Sequence, residues 1–373
     1  MFLVIVALCC AAAMMSCSTG SSLSGNPQTP SPTAQAPTQS PTVILPTQST
    51  TPAAVKRVLD DPHHYMWQAL MSPTGELMTW WSGDCNRTWW RCQAVYVLRD
   101  LEGNSAAFPL PRSASYSMLG ATVDGFAVER DVLRHHVLHA HGGFVVRPDG
   151  TKVEWTASHR TIRPSHDLVV LSGSAEHPRA LDVTAAMVGQ LPTLPTHGHL
   201  TIASDGTLWM VSLIHYTWRV AWSRDDGETW ASRRLPDFSE IPASVTVGEE
   251  GHVLAQTTQF PGMFGPPSGQ ELYVTTDNGD SWSRLRGVPF GTSPSFAASP
   301  DGRLLAVDAI GRLWRSDSTW SSFRRIRDVP QFSPWPAQLA VAGAYVYIVE
   351  PGRRGKVFVS DDDGETWDRV PTL

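Results

Sequence analysis

The chain has 373 residues, of which 42% are hydrophobic, and its formal net charge is −6. It contains 29 glycines and 29 prolines, and no stretch has a sustained helical period of apolar residues, which argues against a helical protein and favours an all-β one. Its basic residues form no long cationic stripe, which argues against a nucleic-acid partner.

The first residues form an apolar segment. Residues 1–15 are almost wholly apolar, and Ser16 precedes Cys17. The segment resembles a bacterial lipoprotein signal peptide, with Cys17 as the acylated residue after cleavage. It departs from that pattern in having Met14 where leucine is usual, and no charge before Lys56. The run is shorter than the ~20 residues that span a bilayer. We expect an outward-facing lipoprotein of the cell surface or cell membrane, with plain secretion as the alternative.

The next segment, residues 18–55, is rich in Ser, Thr, Pro and Gln and has hardly any large apolar residue. Such a composition buries too little apolar surface to offset the entropy of ordering the chain. We therefore predict three parts: a signal peptide at 1–17, a disordered tether at 18–55, and one folded domain at 56–373.

The folded part begins with strand and turn patterns. Residues 67–109, 116–158 and 167–183 each contain short strands separated by turn residues, and the third copy is the least regular. Cys85 and Cys92 are the only cysteines of this part. Their spacing fits a disulfide that closes a short loop, and a metal pair is the alternative. Two tryptophan pairs lie nearby, residues 80–81 just before this loop and residues 89–90 within it. They could stack on sugar rings or pack inside the fold.

A histidine cluster follows. On a strand, His135, His139 and His141 would share a face, which could bind Zn²⁺ or Cu²⁺. The alternative is a solvated blade edge with no metal. We expect no cofactor.

One eight-residue pattern occurs three times in the second half, with a serine or threonine, an aspartate, a glycine, a second hydroxyl residue and a tryptophan at fixed spacing. A tight reversal between antiparallel strands needs a carboxylate that accepts backbone N–H bonds and a glycine at positive φ. The three boxes consist of Ser223, Asp225, Gly227, Thr229 and Trp230; Thr275, Asp277, Gly279, Ser281 and Trp282; and Ser360, Asp362, Gly364, Thr366 and Trp367.

The pattern resembles the Asp-box (BNR) repeat of sialidase-like β-propellers. The resemblance implies blades of four strands, with the boxes as structural turns on the perimeter; catalytic acids or Ca²⁺ ligands are the alternative for these aspartates. A decayed box ends at Trp320, so its turn should be shorter. The turn aspartates recur on average every ~44 residues, a blade length. We predict seven blades, six or eight being the alternatives; the aspartates are Asp100, Asp149, Asp182, Asp225, Asp277, Asp317 and Asp362.

Function is less constrained. Sialidases use an arginine triad, a Tyr–Glu pair and an Asp, but their Phe/Tyr-Arg-Ile-Pro motif is absent from the first blade; residues 161–164 and 323–326 resemble it only in part. Short arginine runs at 233–234 and 324–327 are predicted on outer strands as edge protection. We expect a monomeric, membrane-tethered propeller that binds a glycan or protein partner and is not an enzyme. The alternative is a diverged exo-glycosidase of sialidase type.

Overall fold

The computed structural model describes residues 52–371, except 84–91, 112–113, 135–136, 166–167, 172–177, 193, 195–197, 204–205, 215–216, 236–240, 249–250, 259–271, 287, 290–293, 309, 328, 331–336 and 354. These residues form one short helix and seven four-stranded sheets that are arranged as the blades of a β-propeller. The predicted fold class and the predicted number of seven blades are confirmed.

Most blades follow the same plan, in which the first strand is innermost and each later strand adds outside it. Alternating apolar residues on the strands supply the core between blades. From the innermost strand outward, blade 1 consists of β1 (Tyr65–Met71), β2 (Leu77–Gly83), β3 (Gln93–Arg99) and β4 (Ser105–Leu110), and blade 2 of β5 (Ala114–Thr122), β6 (Gly125–Arg134), β7 (Val137–Val146) and β8 (Lys152–Glu154). Blade 3 consists of β10 (Leu168–Leu171), β11 (Arg179–Asp182), β12 (Met187–Gln190) and β9 (Thr156–Thr161), and blade 4 of β13 (Gly198–Ile202), β14 (Leu208–Ile214), β15 (Thr217–Ser223) and β16 (Ala231–Arg234). Blade 5 consists of β17 (Ile241–Val247), β18 (Val253–Thr258), β19 (Leu272–Thr275) and β20 (Ser283–Arg284), and blade 6 of β21 (Ser295–Ala298), β22 (Leu304–Val307), β23 (Leu313–Ser316) and β24 (Phe323–Arg325). Blade 7 consists of β25 (Gln338–Ala342), β26 (Tyr345–Glu350), β28 (Lys356–Ser360) and β29 (Asp368–Val370).

Blade 3 is built differently from the others. Its outermost strand, β9, precedes the blade in sequence and pairs in parallel with β12. The turn between β11 and β12 also lies against the first and third turns of blade 2, because Thr184 bonds to Asp124 and Arg147 donates to the Val183 and Thr184 carbonyls. Elsewhere the second turn lies at the other end of a blade. Blade 3 therefore departs from the regular plan in its outermost strand and in the contacts of its second turn.

The ring closes between blades 7 and 1 without exchange of a full strand. The short strand β27 (Gly352–Arg353) pairs with the first two residues of β1, and this pairing joins the two sheets. The helix α1 (Ala53–Leu59) adds Val55 and Val58, both fully buried, to the apolar cluster between these blades. In blades 4 and 6, the residue directly after the outermost strand, Leu235 or Ile326, packs into the interface with the following blade.

No helix among the described residues is both long and apolar enough to cross a membrane. The signal peptide and most of the tether lie outside the described residues, so these two predictions stay predictions.

Candidate functional site

The three boxes join the third strand to the outermost strand in blades 4, 5 and 7, at the perimeter. Their hydrogen bonds are the same in each copy. In blade 4, Ser223 Oγ accepts from the Gly227 N–H at 2.8 Å and donates to Asp225 at 2.8 Å, and Asp225 accepts from the Thr229 N–H at 2.9 Å. Equivalent bonds hold the boxes of blades 5 and 7. The hydroxyl and carboxylate groups are thus occupied in closing the turn.

Each box contains two consecutive residues in the left-handed region. In blade 4, Asp226 has φ 58° and Gly227 has φ 85°, and the boxes at Asn278 and Asp363 repeat this pair. Asp and Asn tolerate positive φ better than other non-glycine residues. The position before the glycine therefore has a structural requirement that the sequence pattern alone did not single out.

The pKa values of the box aspartates are lower than usual in the folded state. The Thr229 hydroxyl, the Thr229 N–H and the Ser223 hydroxyl all donate to Asp225, which lowers its pKa to about 2. Bonds from Ser281 and Thr275 lower the pKa of Asp277 to about 2 in the same way. At neutral pH these carboxylates hold no proton, so they act as acceptors within a turn and not as general acids.

The first–second and third–fourth turns of the regular blades, including the boxes, lie at one end of the propeller, which we call the box end. Strand β1 starts at the opposite end, at the mouth of the central channel, because its own first turn, residues 72–76, lies at the box end. Three partly exposed aromatic side chains gather there. Trp67 stacks on Trp80 at 5.9 Å between ring centroids, and Tyr65 lies 4.7 Å from Trp67. We call Tyr65, Trp67 and Trp80 the aromatic group.

A local irregularity produces this arrangement. The register of β1 shifts between Met66 and Gln68, so Trp67 is the extra residue of a β-bulge. The Trp67 indole N–H donates to Ser82 Oγ at 2.7 Å, which orients the ring against Trp80. The Gln68 side-chain amide then donates to the carbonyl oxygen of Met118 in blade 2 and accepts from the Met118 N–H. The bulge thereby places Trp67 beside the channel mouth and anchors the strand to the next blade.

A cation lies next to the aromatic group. Arg353 of β27 is the cross-strand partner of Tyr65, and its side chain is exposed. Directly opposite residues of an antiparallel pair project from the same face with Cβ atoms ~5 Å apart. The site therefore combines apolar ring faces with a guanidinium group that can bind a carboxylate, a phosphate or a hydroxyl.

A tyrosine near an arginine and a glutamate occurs in blade 2, but its geometry does not suit nucleophilic attack. Arg130 and Glu154 form an ion pair at 3.3 Å, and Glu154 lies on the outermost strand. Tyr116 is buried, and its hydroxyl donates to the Pro111 carbonyl. Burial raises the pKa of Tyr116 to about 12; Arg130 opposes this shift and Glu154 adds to it. This phenol keeps its proton at neutral pH.

The other predicted site residues fall in different places. His139 lies on β7 opposite Val132, and His141 lies where the register of β7 shifts, whereas His135 is outside the described residues. The metal alternative for these histidines stays open; among the residues that the structure describes, no three metal-binding side chains form a cluster. Cys85 also lies outside the described residues, so its disulfide with Cys92 stays a prediction, and Cys17 is likewise not described.

The tryptophan pairs separate. Trp81 is 1% exposed and packs in the interface with blade 7, whereas Trp80 belongs to the aromatic group on the other face of the same strand. Alternation along β2 decides which of the two is core. Residues 89 and 90 are outside the described part of the chain.

Comparisons with known proteins support the fold alone. No protein family matches the sequence, and no curated protein matches it. Among solved structures, the chain resembles puromycin hydrolase, with a TM-score of 0.51 and 14% identity over 87% of this chain and 55% of that one. It also resembles the GH74 xyloglucanase from Xanthomonas campestris, with a TM-score of 0.48 and 13% identity over 82% of this chain and 53% of that one. The chain thus spans about half the length of these proteins. It is a β-propeller.

Proposed function

We propose that this chain is a membrane-tethered Asp-box propeller that binds a glycan at the channel mouth opposite the boxes. The aromatic group would stack on a sugar ring, and Arg353 would bind a polar or acidic substituent of that sugar. The boxes would contribute the scaffold only, because their polar groups are already bonded within each turn.

One observation carries the proposal: the cross-strand pair of Tyr65 and Arg353 adjoins the stack that Trp67 on β1 forms with Trp80 on β2. Small-ligand sites typically combine aromatic walls with a few placed polar groups. Rigid aromatic side chains also provide contact area at a low cost in conformational entropy. A ring-shaped, polar-edged ligand fits these two properties better than an extended apolar one.

The test is a glycan array with the full-length protein, followed by titration calorimetry on the best glycan. Arg353→Ala and Tyr65→Ala should each weaken binding by about tenfold or more. Arg160→Ala, an exposed arginine on the outer strand of blade 3, is the matched control and should bind normally. Equal losses in all three variants, or no change in the first two, would contradict the proposal. Turnover of a fluorogenic glycoside that is lost in Tyr65→Ala would favour the exo-glycosidase instead.

The membrane tether is part of the same proposal. An acylated Cys17 followed by the polar segment 18–55 would hold the propeller away from the bilayer. Metabolic labelling with a fatty acid should mark the wild type and leave Cys17→Ser unlabelled. Labelling of neither protein, with the chain found in the medium, would favour simple secretion.

A further inference from the structure

The outermost strands of four consecutive blades carry exposed arginines. These are blades 4 to 7: blades 4, 5 and 7 contain an intact box, and blade 6 contains the decayed box. We call these side chains the arginine belt: Arg234 in blade 4, Arg284 and Arg286 in blade 5, Arg325 and Arg327 in blade 6, and Arg369 in blade 7.

Strand register shows that belt positions in blades 5 to 7 are equivalent, whereas blade 4 has Ser232 at that position and Arg234 two residues later. Arg284 lies opposite Tyr273, Arg325 opposite Trp314, and Arg369 opposite Phe358. Each of these partners is two residues before the end of its third strand. The three arginines therefore stand at the same height on their blades, and the same position recurs from one blade to the next.

Alternation fixes the direction in which these side chains point. The next residues, Leu285, Ile326 and Val370, pack into the interfaces with the following blades. Because successive strand residues project from opposite faces, Arg284, Arg325 and Arg369 project away from those interfaces. Arg286 and Arg327 follow two residues later and share that outer side.

The belt carries six positive charges, although the whole chain has a net charge of −6. Five of its arginines form no ion pair with another described residue: Arg234, Arg286, Arg325, Arg327 and Arg369. Blade 1 contrasts with this pattern, because its outermost strand, β4, contains no charged residue. Edge protection alone would apply to every blade, including blade 1.

A shallow depression gives the belt a defined contact point in blade 6. It has a volume of about 520 Å³ and is lined by Arg324, Arg325, Ile326, Arg327 and Val329. Arg324 is held by Glu365 of blade 7 at 2.9 Å, whereas Arg325 and Arg327 form no ion pair with another described residue. Guanidinium groups bind carboxylate and phosphate oxygens in pairs of parallel hydrogen bonds.

From these observations we infer that the arginine belt is a docking surface for a flexible anionic polysaccharide that carries carboxylate groups. The belt covers four of the seven blades of a round perimeter. A flat bilayer touches a round perimeter over only a small arc, and a DNA duplex is too stiff to follow it, since its persistence length is ~50 nm. A single flexible chain can follow the curve and contact several blades at once.

The test measures binding of the full-length protein to polygalacturonate at a series of salt concentrations. The wild type should bind, with affinity falling steeply as salt rises. The variant Arg286→Ala/Arg325→Ala/Arg327→Ala should bind about 30-fold or more weakly, with a salt dependence shallower by about three in log–log slope. Arg160→Ala removes an exposed arginine outside the belt, on the outer strand of blade 3, and should match the wild type. A loss of polygalacturonate binding that is larger in Arg353→Ala than in the triple variant would assign this binding to the glycan site proposed above and would contradict the belt.

Three further probes decide the class of partner. Neutral dextran, oligo(dT) and vesicles containing phosphatidylglycerol should each bind more weakly than polygalacturonate at the same salt concentration. Tighter binding of oligo(dT) or of the vesicles would overturn the inference in favour of a nucleic acid or a membrane. Equal binding of dextran, or an equal loss in Arg160→Ala, would also overturn it, because the belt would then have no specific role.

Discussion

The ring of Trp320 lies directly against the backbone of Gly248 in the neighbouring blade. A Cβ atom at residue 248 would lie only 2.6 Å from this ring. Gly248 begins the first turn of blade 5, where its N–H donates to the His252 carbonyl, and Ala203 and Ser299 hold the equivalent positions in blades 4 and 6. Blade 6 has a decayed box, and its tryptophan turns inward, fully buried, at φ 56°. The absence of a side chain at Gly248 in blade 5 thus leaves room for the inward-turned Trp320 of the decayed box in blade 6.

Gly248→Ala should destabilise the protein by about 1–3 kcal/mol, because the added methyl group overpacks against Trp320. Trp320→Phe shortens the ring at the point of contact and should relieve part of that cost. Guanidinium denaturation of both single variants and the double variant measures this coupling. Additive losses in the double variant would show that the two residues do not interact.

Acid should weaken the fold through the box aspartates. Asp225 and Asp277 have folded pKa values of about 2, below the ordinary value of 3.8. Between these values the unfolded chain binds more protons than the folded one, so stability is present above about pH 4 and is lost as the pH falls toward 2. Asp225→Asn/Asp277→Asn should therefore lower stability at neutral pH and flatten its fall in this window.

Denaturation curves at a series of pH values measure that slope. Asp280→Asn changes an exposed residue of the same blade 5 turn and serves as the control. A double variant that loses stability with acid as steeply as the wild type would assign the acid sensitivity to other groups.

The sequence was sufficient to predict the blades because the box is a local motif. Its hydroxyl, carboxylate and glycine all serve one turn, so the pattern of residues 223–230 is visible without knowledge of the fold. The shortened turn of the decayed box was predicted correctly: six residues, 317–322, separate its strands, whereas seven, 224–230, separate those of an intact box.

The features that depend on distant residues were not visible in the same way. The parallel pairing of β9 with β12 joins strands that the sequence pattern divides between two blades. Trp80 and Trp81 are identical residues whose roles depend on which face of β2 meets a neighbouring blade. Arg353 and Tyr65 lie far apart in the sequence and become neighbours only where the ring closes. The sequence therefore did not predict this proposed binding pair.

Arg315 is expected to hold blades 6 and 7 together. Its side chain is 6% exposed and bonds to Asp301 in its own blade and to Glu365 in blade 7. Arg315→Met should cost about 1–3 kcal/mol, since both carboxylates lose a partner but remain partly hydrated. Arg324→Met removes a cation that is 60% exposed and also bonds to Glu365, so it should cost less than about 0.5 kcal/mol. Similar losses for both variants in chemical denaturation would mean that burial of the cation is not decisive.

The helix α1 should stabilise the seam at which the ring closes. Val58 is fully buried among residues of blades 1 and 7, whereas Lys56 on the same helix is exposed. Val58→Ala removes two buried carbon atoms and should cost about 2 kcal/mol, while Lys56→Ala should change stability by less than about 0.5 kcal/mol. Hydrogen exchange offers a local measurement, because opening of the seam would expose the amides of β27 and the start of β1 before those of blade 4. In Val58→Ala these seam amides should exchange faster than in the wild type. Unchanged exchange at the seam, together with a global loss of stability, would show that the helix supports blade 1 alone and not the closure of the ring.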